Sequence, residues 1–230
     1  MARFLIIETS SPVCSIAIAE DQQLLSLVEA NEPKIHASSI IPFIEKALSE
    51  GEVTLQELSA IVVSSGPGSY TGLRIGVSTA KGLCYSLEKP LIAVGTLHGL
   101  AARALTNDEL KEPTALLCPM IDARRMEVYA AIFDRSGELQ RPVQADIVTE
   151  SFYDSFLEQG PVYFFGDGMP KCKPLLEKHP NARFLEDVLP SAASLATQAT
   201  DRFKKNAFED VAYFEPFYLK DFVTTAKLKV

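Results

Sequence analysis

Residues 64–88 constrain the fold of this chain most, because they join a strand, a tight turn and one long helix in a single run. The β-branched run before them predicts a buried strand. The strand breaks at Gly66-Pro67-Gly68, where glycine permits positive φ on both sides of a proline of fixed φ. Ser69 or Thr71 then supplies a helix N-cap. This order of elements indicates an α/β protein.

The helix that follows has three faces, whereas an ordinary amphipathic helix has two. One face is apolar, one is polar, and a stripe of small residues lies beside the apolar face. Such a stripe predicts a close helix contact, because each glycine costs about 0.8 to 1 kcal/mol relative to alanine unless packing or function offsets it. The contact is either internal or with a partner protein, and a third interpretation is an anion cradle without the Lys-Ser/Thr pair of a P-loop. The stripe contains Gly72, Gly76, Thr79 and Ser86, flanked by Ile75 and Gly82.

The bulk composition is that of a globular chain with an acidic balance. The 230 residues are 47% apolar and 23% charged, which excludes disordered and fibrous classes. This length accommodates one large domain or two small lobes. The net charge of −8 argues against a protein that grips a nucleic-acid backbone unaided, because phosphate contacts dominate such affinity. Any contact with RNA therefore needs a local basic patch or a partner.

The cysteines and the hydropathy pattern indicate a cytoplasmic protein. Because the cysteines form no C-x-x-C pair, we expect small buried hydrophobes in a reducing compartment, not a zinc cluster or a disulfide framework. The N-terminus is unlike a signal peptide, and no apolar run approaches the roughly 18 residues that span a bilayer. We therefore expect no membrane contact. The four cysteines are Cys14, Cys84, Cys118 and Cys172.

The order of the elements along the chain predicts two related lobes. Three strand-like runs are followed by a helix at residues 37–50, a strand, the glycine-rich helix, another strand and a further helix. After the polar segment 106–113 the same order returns. We predict two α/β lobes, 1–106 and 107–230, each a mixed sheet with a three-strand antiparallel meander and packed helices. The last helix, at 191–204, is expected to pack where the lobes meet.

Several segments carry a specific family resemblance. They are GPGSYTGLRIG followed by AKGL, LIIETSSPVCSIAI at the start, IDARRMEVY from Ile121, EPFYLK from Glu215, and a single His36 that leads into a helix. These segments resemble the TsaB (YeaZ) family, glycoprotease-like members of the actin-like ATPase superfamily that take part in making N6-threonylcarbamoyladenosine (t6A) in tRNA. The resemblance implies two actin-like (ribonuclease H-like) lobes of the kind also found in Hsp70.

Two segments of this chain stand where an actin-like ATPase has nucleotide-binding elements, but both depart from the pattern of those elements. The first hairpin of that fold cradles phosphate, and Glu8, Thr9 and Ser10 occupy its turn in this chain. Glu8 stands where the family pattern more often has an aspartate, and the turn lacks a glycine that would let backbone amides close on a phosphate. Gly166-Asp167-Gly168 stands where an adenosine loop is expected, but it is short and a proline follows. We therefore predict a vestigial phosphate hairpin, structural turns and no bound cofactor.

The sequence does not assemble a metal site or a hydrolase site. A helical metal site uses two histidines four residues apart, but His36 is followed at that spacing by Ile40, where the related catalytic subunit of the pathway carries a second histidine. His98 and His179 have no evident co-ligands, so we expect all three histidines to be surface or capping residues. A G-x-S-x-G elbow is absent, because Ser69 lies outside that spacing.

Two functional hypotheses from different classes follow. The first is a non-catalytic subunit that pairs through the two long helices with the metal-containing catalytic paralogue TsaD, works with the accessory ATPase TsaE, and meets tRNA only through that complex. The second is an enzyme in its own right, an ATP-binding actin-like enzyme or a glycoprotease-type peptidase. The first is favoured because a helix surface is intact beside eroded catalytic motifs. The predicted partner interface contains Ile40, Phe43, Ile44, Ala47, Gly72, Arg74, Ile75, Gly76 and Thr79.

The sequence leaves two questions about partners open. It does not choose between a monomer and a homodimer for the isolated chain, and it does not decide whether the chain touches tRNA directly. Arg124 and Arg125 lie between two strands, where such residues are typical of a solvated turn. Their place in the family's D-A-R pattern also allows a polar contact with a partner.

Overall fold

The chain forms two five-stranded sheets. The computed structural model describes residues 1–32 and 35–220. The first sheet contains β1 (Arg3–Glu8), β2 (Val13–Glu20), β3 (Gln23–Asn31), β4 (Ala60–Gly66) and β5 (Leu91–Gly95), in the order β3-β2-β1-β4-β5. The second contains β6 (Leu116–Asp122), β7 (Glu127–Phe133), β8 (Leu139–Ile147), β9 (Val162–Phe165) and β10 (Ala182–Phe184), in the order β10-β9-β6-β7-β8.

The second sheet repeats the topology of the first. In each sheet the first three strands form an antiparallel meander. The fourth strand then pairs parallel with the first, and the fifth pairs parallel with the fourth. Parallel neighbours need crossover connections, which helices supply. The predicted class, two related α/β lobes that each carry a three-strand meander, is confirmed.

The described helices mostly match the predicted boundaries. Two elements of the second half are short: the helix Asp154–Leu157 has four residues, and β10 has three. In the first half the N-cap of the helix Thr96–Leu105 is Gly95, and the buried Thr96 hydroxyl has no hydrogen-bond partner among the described residues. The helices are α1 (His36–Glu50), α2 (Tyr70–Leu87), α3 (Thr96–Leu105), α4 (Asp154–Leu157), α5 (Met169–Leu176) and α6 (Ala196–Lys204).

Helices cover both faces of the first sheet. Alternate residues of β1 point to opposite faces, so that Leu5 and Ile7 pack beneath α1 and α2 while Phe4 and Ile6 pack beneath α6. A strand buried on both faces has no polar alternation, which accounts for the continuous apolar run in β1. All four cysteines are buried and unpaired, as predicted. Within the described residues no helix is long and apolar enough to cross a bilayer.

Each of the helices α3 and α6 packs on the sheet of the other lobe. α3 follows the last strand of the first sheet but packs on the second, whereas α6 follows the second sheet and packs on the first. Where the two segments meet, a Cβ added at Gly99 would lie 2.2 Å from Leu195 Cδ2. The division into 1–106 and 107–230 stays a prediction; residues 221–230 of the second range lie outside the described residues. Within the rest of that range, residues 192–203 pack on the first sheet, and Glu209 forms a β-bridge with Leu91 of that sheet.

Candidate functional site

The turn between β1 and β2 is closed by its own carboxylate. Glu8 is 1% exposed, and its Oε1 accepts hydrogen bonds from the Ser10 amide at 2.6 Å and from the Ser64 hydroxyl at 3.0 Å. Burial raises the pKa of Glu8, and the hydrogen bonds from Ser10 and Ser64 only partly oppose that rise. In this turn the Ser10 amide, which could otherwise face a phosphate, is already bound by a side chain of the same hairpin.

The glycine-rich loop packs directly on that turn. The Ser69 amide donates to the Ser10 carbonyl oxygen at 2.6 Å, and the Thr9 hydroxyl donates to the Gly72 carbonyl oxygen at 2.8 Å. A Cβ added at Gly68 would lie 2.3 Å from the Ser10 oxygen, and one at Gly72 would lie 2.0 Å from the Thr9 oxygen. Both positions therefore require glycine because another backbone approaches closely. Protein atoms occupy the space between loop and turn.

The small stripe of α2 divides into a buried part and an open part. A Cβ added at Gly76 would lie 2.3 Å from Thr9 Oγ1, whereas one added at Gly82 would have no atom of the described residues within 4 Å. The prediction that Gly72 and Gly76 contact a partner is therefore corrected, because these two glycines pack on the chain's own first hairpin. The part of the stripe that stays at the surface runs from the half-buried Thr79 to Gly82 and beyond.

Most of the α1 residues predicted to contact a partner belong to the core. Ile40, Ile44 and Ala47 are buried against the first sheet, so their assignment to the interface is corrected. The first sheet covers the central part of the apolar face of α1. Phe43 is half-buried, and the neighbouring Ile41 is 50% exposed. The apolar face of α1 is therefore accessible only at its edge, at Ile41 and Phe43.

Arg74 binds the C-terminal segment of its own chain. Its guanidinium carbon lies 4.2 Å from the ring centroid of Tyr70, and a hydrogen bond with Tyr218 raises the pKa of Arg74. The Tyr70 and Tyr218 rings lie 4.8 Å apart. Arg74 was predicted at a partner interface, and in the free chain it holds the EPFYLK segment on α2. Sequence reasoning noted this segment but assigned it no contact.

The C-terminal segment then bridges the two lobes. The Lys81 ammonium group donates to the Phe214 carbonyl oxygen at 3.0 Å. The Phe217 amide donates to the Ser65 carbonyl oxygen at 2.7 Å, and Lys220 forms an ion pair with Glu127 in the second lobe. The segment therefore runs from the end of β4 to the beginning of β7, beside the glycine-rich loop.

The glycine-aspartate turn of the second lobe packs on β6. A Cβ added at Gly166 would lie 2.2 Å from the Met120 carbonyl oxygen. Asp167 accepts a hydrogen bond from the Asp122 amide at 3.2 Å, and burial raises the pKa of Asp167 to about 6. Asp122 is itself paired with Lys171. The acidic groups at this end of the second lobe are thus bound within the chain.

The histidines make protein contacts of two kinds. His36 is 7% exposed, and its Nε2 lies 3.0 Å from the Ser11 carbonyl oxygen, to which Nε2–H donates. The expectation of a surface or capping position is therefore wrong for His36. His179 does act in a turn, where its Nδ1 accepts from the Asn181 amide at 3.2 Å. Within residues 1–32 and 35–220, no group of three or more His, Cys, Asp or Glu side chains could hold a metal ion.

Comparison with known proteins identifies the family. The family model described as "TsaD: tRNA N6-adenosine threonylcarbamoyltransferase" matches residues 29–227. The tRNA threonylcarbamoyladenosine biosynthesis protein TsaB of Bacillus subtilis is 33% identical over 75% of this chain and 74% of its own length. That of Escherichia coli is 30% identical over 98% of both chains. The structure of YeaZ from Pseudomonas aeruginosa has a TM-score of 0.78 and 26% identity over 95% of this chain and 100% of that one. The chain belongs to the TsaB (YeaZ) family.

Proposed function

We propose that this chain is a non-catalytic subunit of the cytoplasmic machinery that makes t6A in tRNA. It acts by pairing with a metal-containing catalytic paralogue of the TsaD type, works with the accessory ATPase TsaE, and reaches tRNA through that complex. The names of its relatives support the pathway. The observation that carries the non-catalytic role is the first hairpin, whose Ser10 amide is bound by Glu8 and whose turn is covered by the glycine-rich loop.

The proposed pairing surface is the exposed side of α2 with the margin of α1. Ile75, Thr79, Gly82 and Ser86 follow one another at spacings of three and four residues, so they share one face of the helix. Because Gly82 carries no side chain into the open space beside it, a second helix can approach closely there. The cost of a glycine in a helix, about 0.8 to 1 kcal/mol relative to alanine, is then offset by the contact.

Apolar side chains frame this open stripe. Tyr85 on α2 is 85% exposed and Ile41 on α1 is 50% exposed. Aromatic residues are enriched in protein–protein interfaces and supply large contact area. Of the other predicted interface residues, Ile75 and Phe43 are half-buried, and Arg74 is exposed but binds the C-terminal segment. In the absence of the paralogue, the same surface would pair two copies of this chain.

Gly82→Leu in the full-length chain tests the proposal. The free variant should unfold at the same temperature or higher, because no atom in the described part of the chain lies within 4 Å of the added Cβ and leucine is a better helix former than glycine. Binding to the TsaD paralogue of the same organism, measured by titration calorimetry, should weaken about tenfold or more. Overpacking of a close contact costs about 1 to 3 kcal/mol, and 1.4 kcal/mol corresponds to tenfold in affinity.

Thr197→Leu is the matched control, because it adds a leucine at an exposed position of α6 on the other side of the first sheet. Its affinity for the paralogue should equal that of the wild type. A well-folded Gly82→Leu variant that binds as tightly as the wild type would remove this face of α2 from the interface. Failure of the wild-type chain to bind the paralogue at all would overturn the proposed function.

A further inference from the structure

The turn between β6 and β7 exposes two adjacent guanidinium groups. Arg124 and Arg125 are exposed, and neither side chain forms a hydrogen bond or ion pair with another residue in the described parts of the chain. They differ in this from the other described arginines, each of which contacts a carboxylate, a carbonyl oxygen or a tyrosine. Those arginines are Arg3, Arg74, Arg103, Arg135, Arg141, Arg183 and Arg202.

The backbone of this turn holds both arginines in the left-handed region. Their φ angles are 67° and 49°, a conformation that residues other than glycine, asparagine and aspartate rarely adopt. Asp122 Oδ1 accepts the Arg124 amide at 2.9 Å, and the Glu127 amide donates to the Arg124 carbonyl oxygen at 3.2 Å. Unfavourable backbone geometry of this kind clusters at functional sites. Hydrogen bonds to the amide and the carbonyl oxygen of Arg124 therefore fix the backbone of the turn.

The carboxylates near the turn are already bound. Asp122 is paired with Lys171, and Glu127 is paired with Lys220. Asp167 accepts a hydrogen bond from the Asp122 amide. The guanidinium groups of the turn consequently face no unpaired carboxylate of their own hairpin.

Tyr129 extends this cationic surface onto β7. Burial raises the pKa of Tyr129, the positive charges of Lys220 and Arg124 act in the opposite direction, and the negative charge of Glu127 adds to the rise. Arginine, lysine and tyrosine side chains are among those that contact phosphate and sugar in nucleic-acid complexes. The planar guanidinium fork also matches two phosphate oxygens at once.

The net charge of the chain limits where a polyanion can bind. With a net charge of −8, most of the surface repels a polyanion, which is admitted only at a local patch of positive charge. The turn belongs to the second lobe, whereas the proposed pairing surface on α1 and α2 belongs to the first lobe. We propose that Arg124 and Arg125 contact phosphates of the tRNA backbone in the assembled complex, an inference that rests on the proposed function.

The test uses the heterodimer with the TsaD paralogue and fluorescently labelled tRNA at a series of salt concentrations. The double variant Arg124→Gln/Arg125→Gln should weaken tRNA binding roughly fivefold or more at low salt, from the usual strength of exposed ion pairs. The slope of log K against log salt should decrease by about 0.7 to 0.9 for each phosphate that the variant no longer neutralises. The matched control is Lys204→Gln/Lys205→Gln, which removes the same charge from an exposed pair of cations on another surface. Its affinity should change less than twofold.

Three results would overturn the inference. Equal loss of affinity in both double variants would assign the effect to net charge. Unchanged tRNA binding by the arginine variant would remove the turn from the RNA contact, and weakened pairing with the paralogue instead would place it in a protein interface. If the wild-type heterodimer does not form, the proposed function fails, and the same titration on the isolated chain then decides the role of the arginines separately.

Discussion

Thr9 and Gly72 are 63 residues apart, yet the Thr9 hydroxyl donates a hydrogen bond of 2.8 Å to the Gly72 carbonyl oxygen. One helical turn further along α2, the same hydroxyl oxygen would lie 2.3 Å from a Cβ added at Gly76. These contacts fasten the beginning of α2 to the first hairpin. Because of them, the turn cannot open for a phosphate unless α2 moves.

Two glycines of α2 should respond oppositely to the same substitution. Gly76→Ala is expected to destabilise the chain by about 1 to 3 kcal/mol, because the added methyl group overpacks against Thr9. Gly82→Ala is expected to stabilise it by up to about 1 kcal/mol, because alanine favours the helix and meets no atom. Urea denaturation measures both. A Gly76→Ala protein as stable as the wild type would show that the hairpin does not clamp the helix.

The buried carboxylate of Glu8 should make stability depend on pH. Burial raises its pKa, so the folded state binds the proton more tightly than the unfolded state does. The wild-type free energy of unfolding should therefore fall as pH rises from the unfolded-state pKa of about 4.3 through the folded-state pKa, and the loss should be complete above it. Glu8→Gln keeps an oxygen acceptor for Ser10 and Ser64 but carries no charge.

Denaturation of both proteins at steps between about pH 4 and pH 8 isolates this effect, because the other titrating groups are common to the two. The stability of Glu8→Gln relative to the wild type should increase across the range and then level off. A difference that stays constant with pH would contradict a raised pKa for Glu8.

His36 should stabilise the fold by donating a hydrogen bond to the Ser11 carbonyl oxygen. His36→Ala leaves the Ser11 carbonyl oxygen without its partner in a buried site, which is expected to cost about 1 to 3 kcal/mol. His36→Gln offers a replacement amide donor and should recover part of that loss. Elemental analysis of the wild-type protein is expected to find no stoichiometric zinc or iron. One metal ion per chain that disappears in His36→Ala would reverse this assignment.

Lys81 should hold the C-terminal segment on α2. Lys81→Met keeps the aliphatic stem but removes the donor to the Ala212 and Phe214 carbonyl oxygens, so proteolysis after residue 208 should accelerate severalfold. Lys89→Met is the control, because the Lys89 side chain has no hydrogen bond or ion pair within the described residues. Equal cleavage rates in both variants would show that Lys81 does not anchor the segment.

Local patterns were enough to predict most of the elements. Continuous apolar runs, glycine-rich breaks and caps such as Ser69, which accepts the Gly72 amide, are encoded in neighbouring residues. The repeated order of strands predicted two related lobes, and the two sheets have the same topology. The short β10 lacks a sequence signal, because its three residues are only half-buried and depend on β9 for pairing.

Helical periodicity predicted a stripe of small residues on α2. It did not predict which other residues of the chain pack on each part of that stripe. The tip of a distant hairpin covers Gly76 and leaves Gly82 open, and that difference depends on tertiary contacts. His36 was misplaced for the same reason, because a single histidine gives no periodic signal for burial. The contact of Arg74 with Tyr218 joins residues far apart in the chain, which local sequence patterns do not connect.

The most direct test of the central claim is t6A formation in a reconstituted reaction that contains tRNA, the TsaD paralogue, the accessory ATPase TsaE with ATP, and the threonylcarbamoyl donor. The claim is that this chain contributes a binding surface, not a catalytic site. Product should therefore appear only when the chain is added, rise until the chain is stoichiometric with the paralogue, reach the wild-type yield with Glu8→Gln, and fall with Gly82→Leu. Full product without the chain, or loss of product with a Glu8→Gln variant that still binds the paralogue, would contradict it.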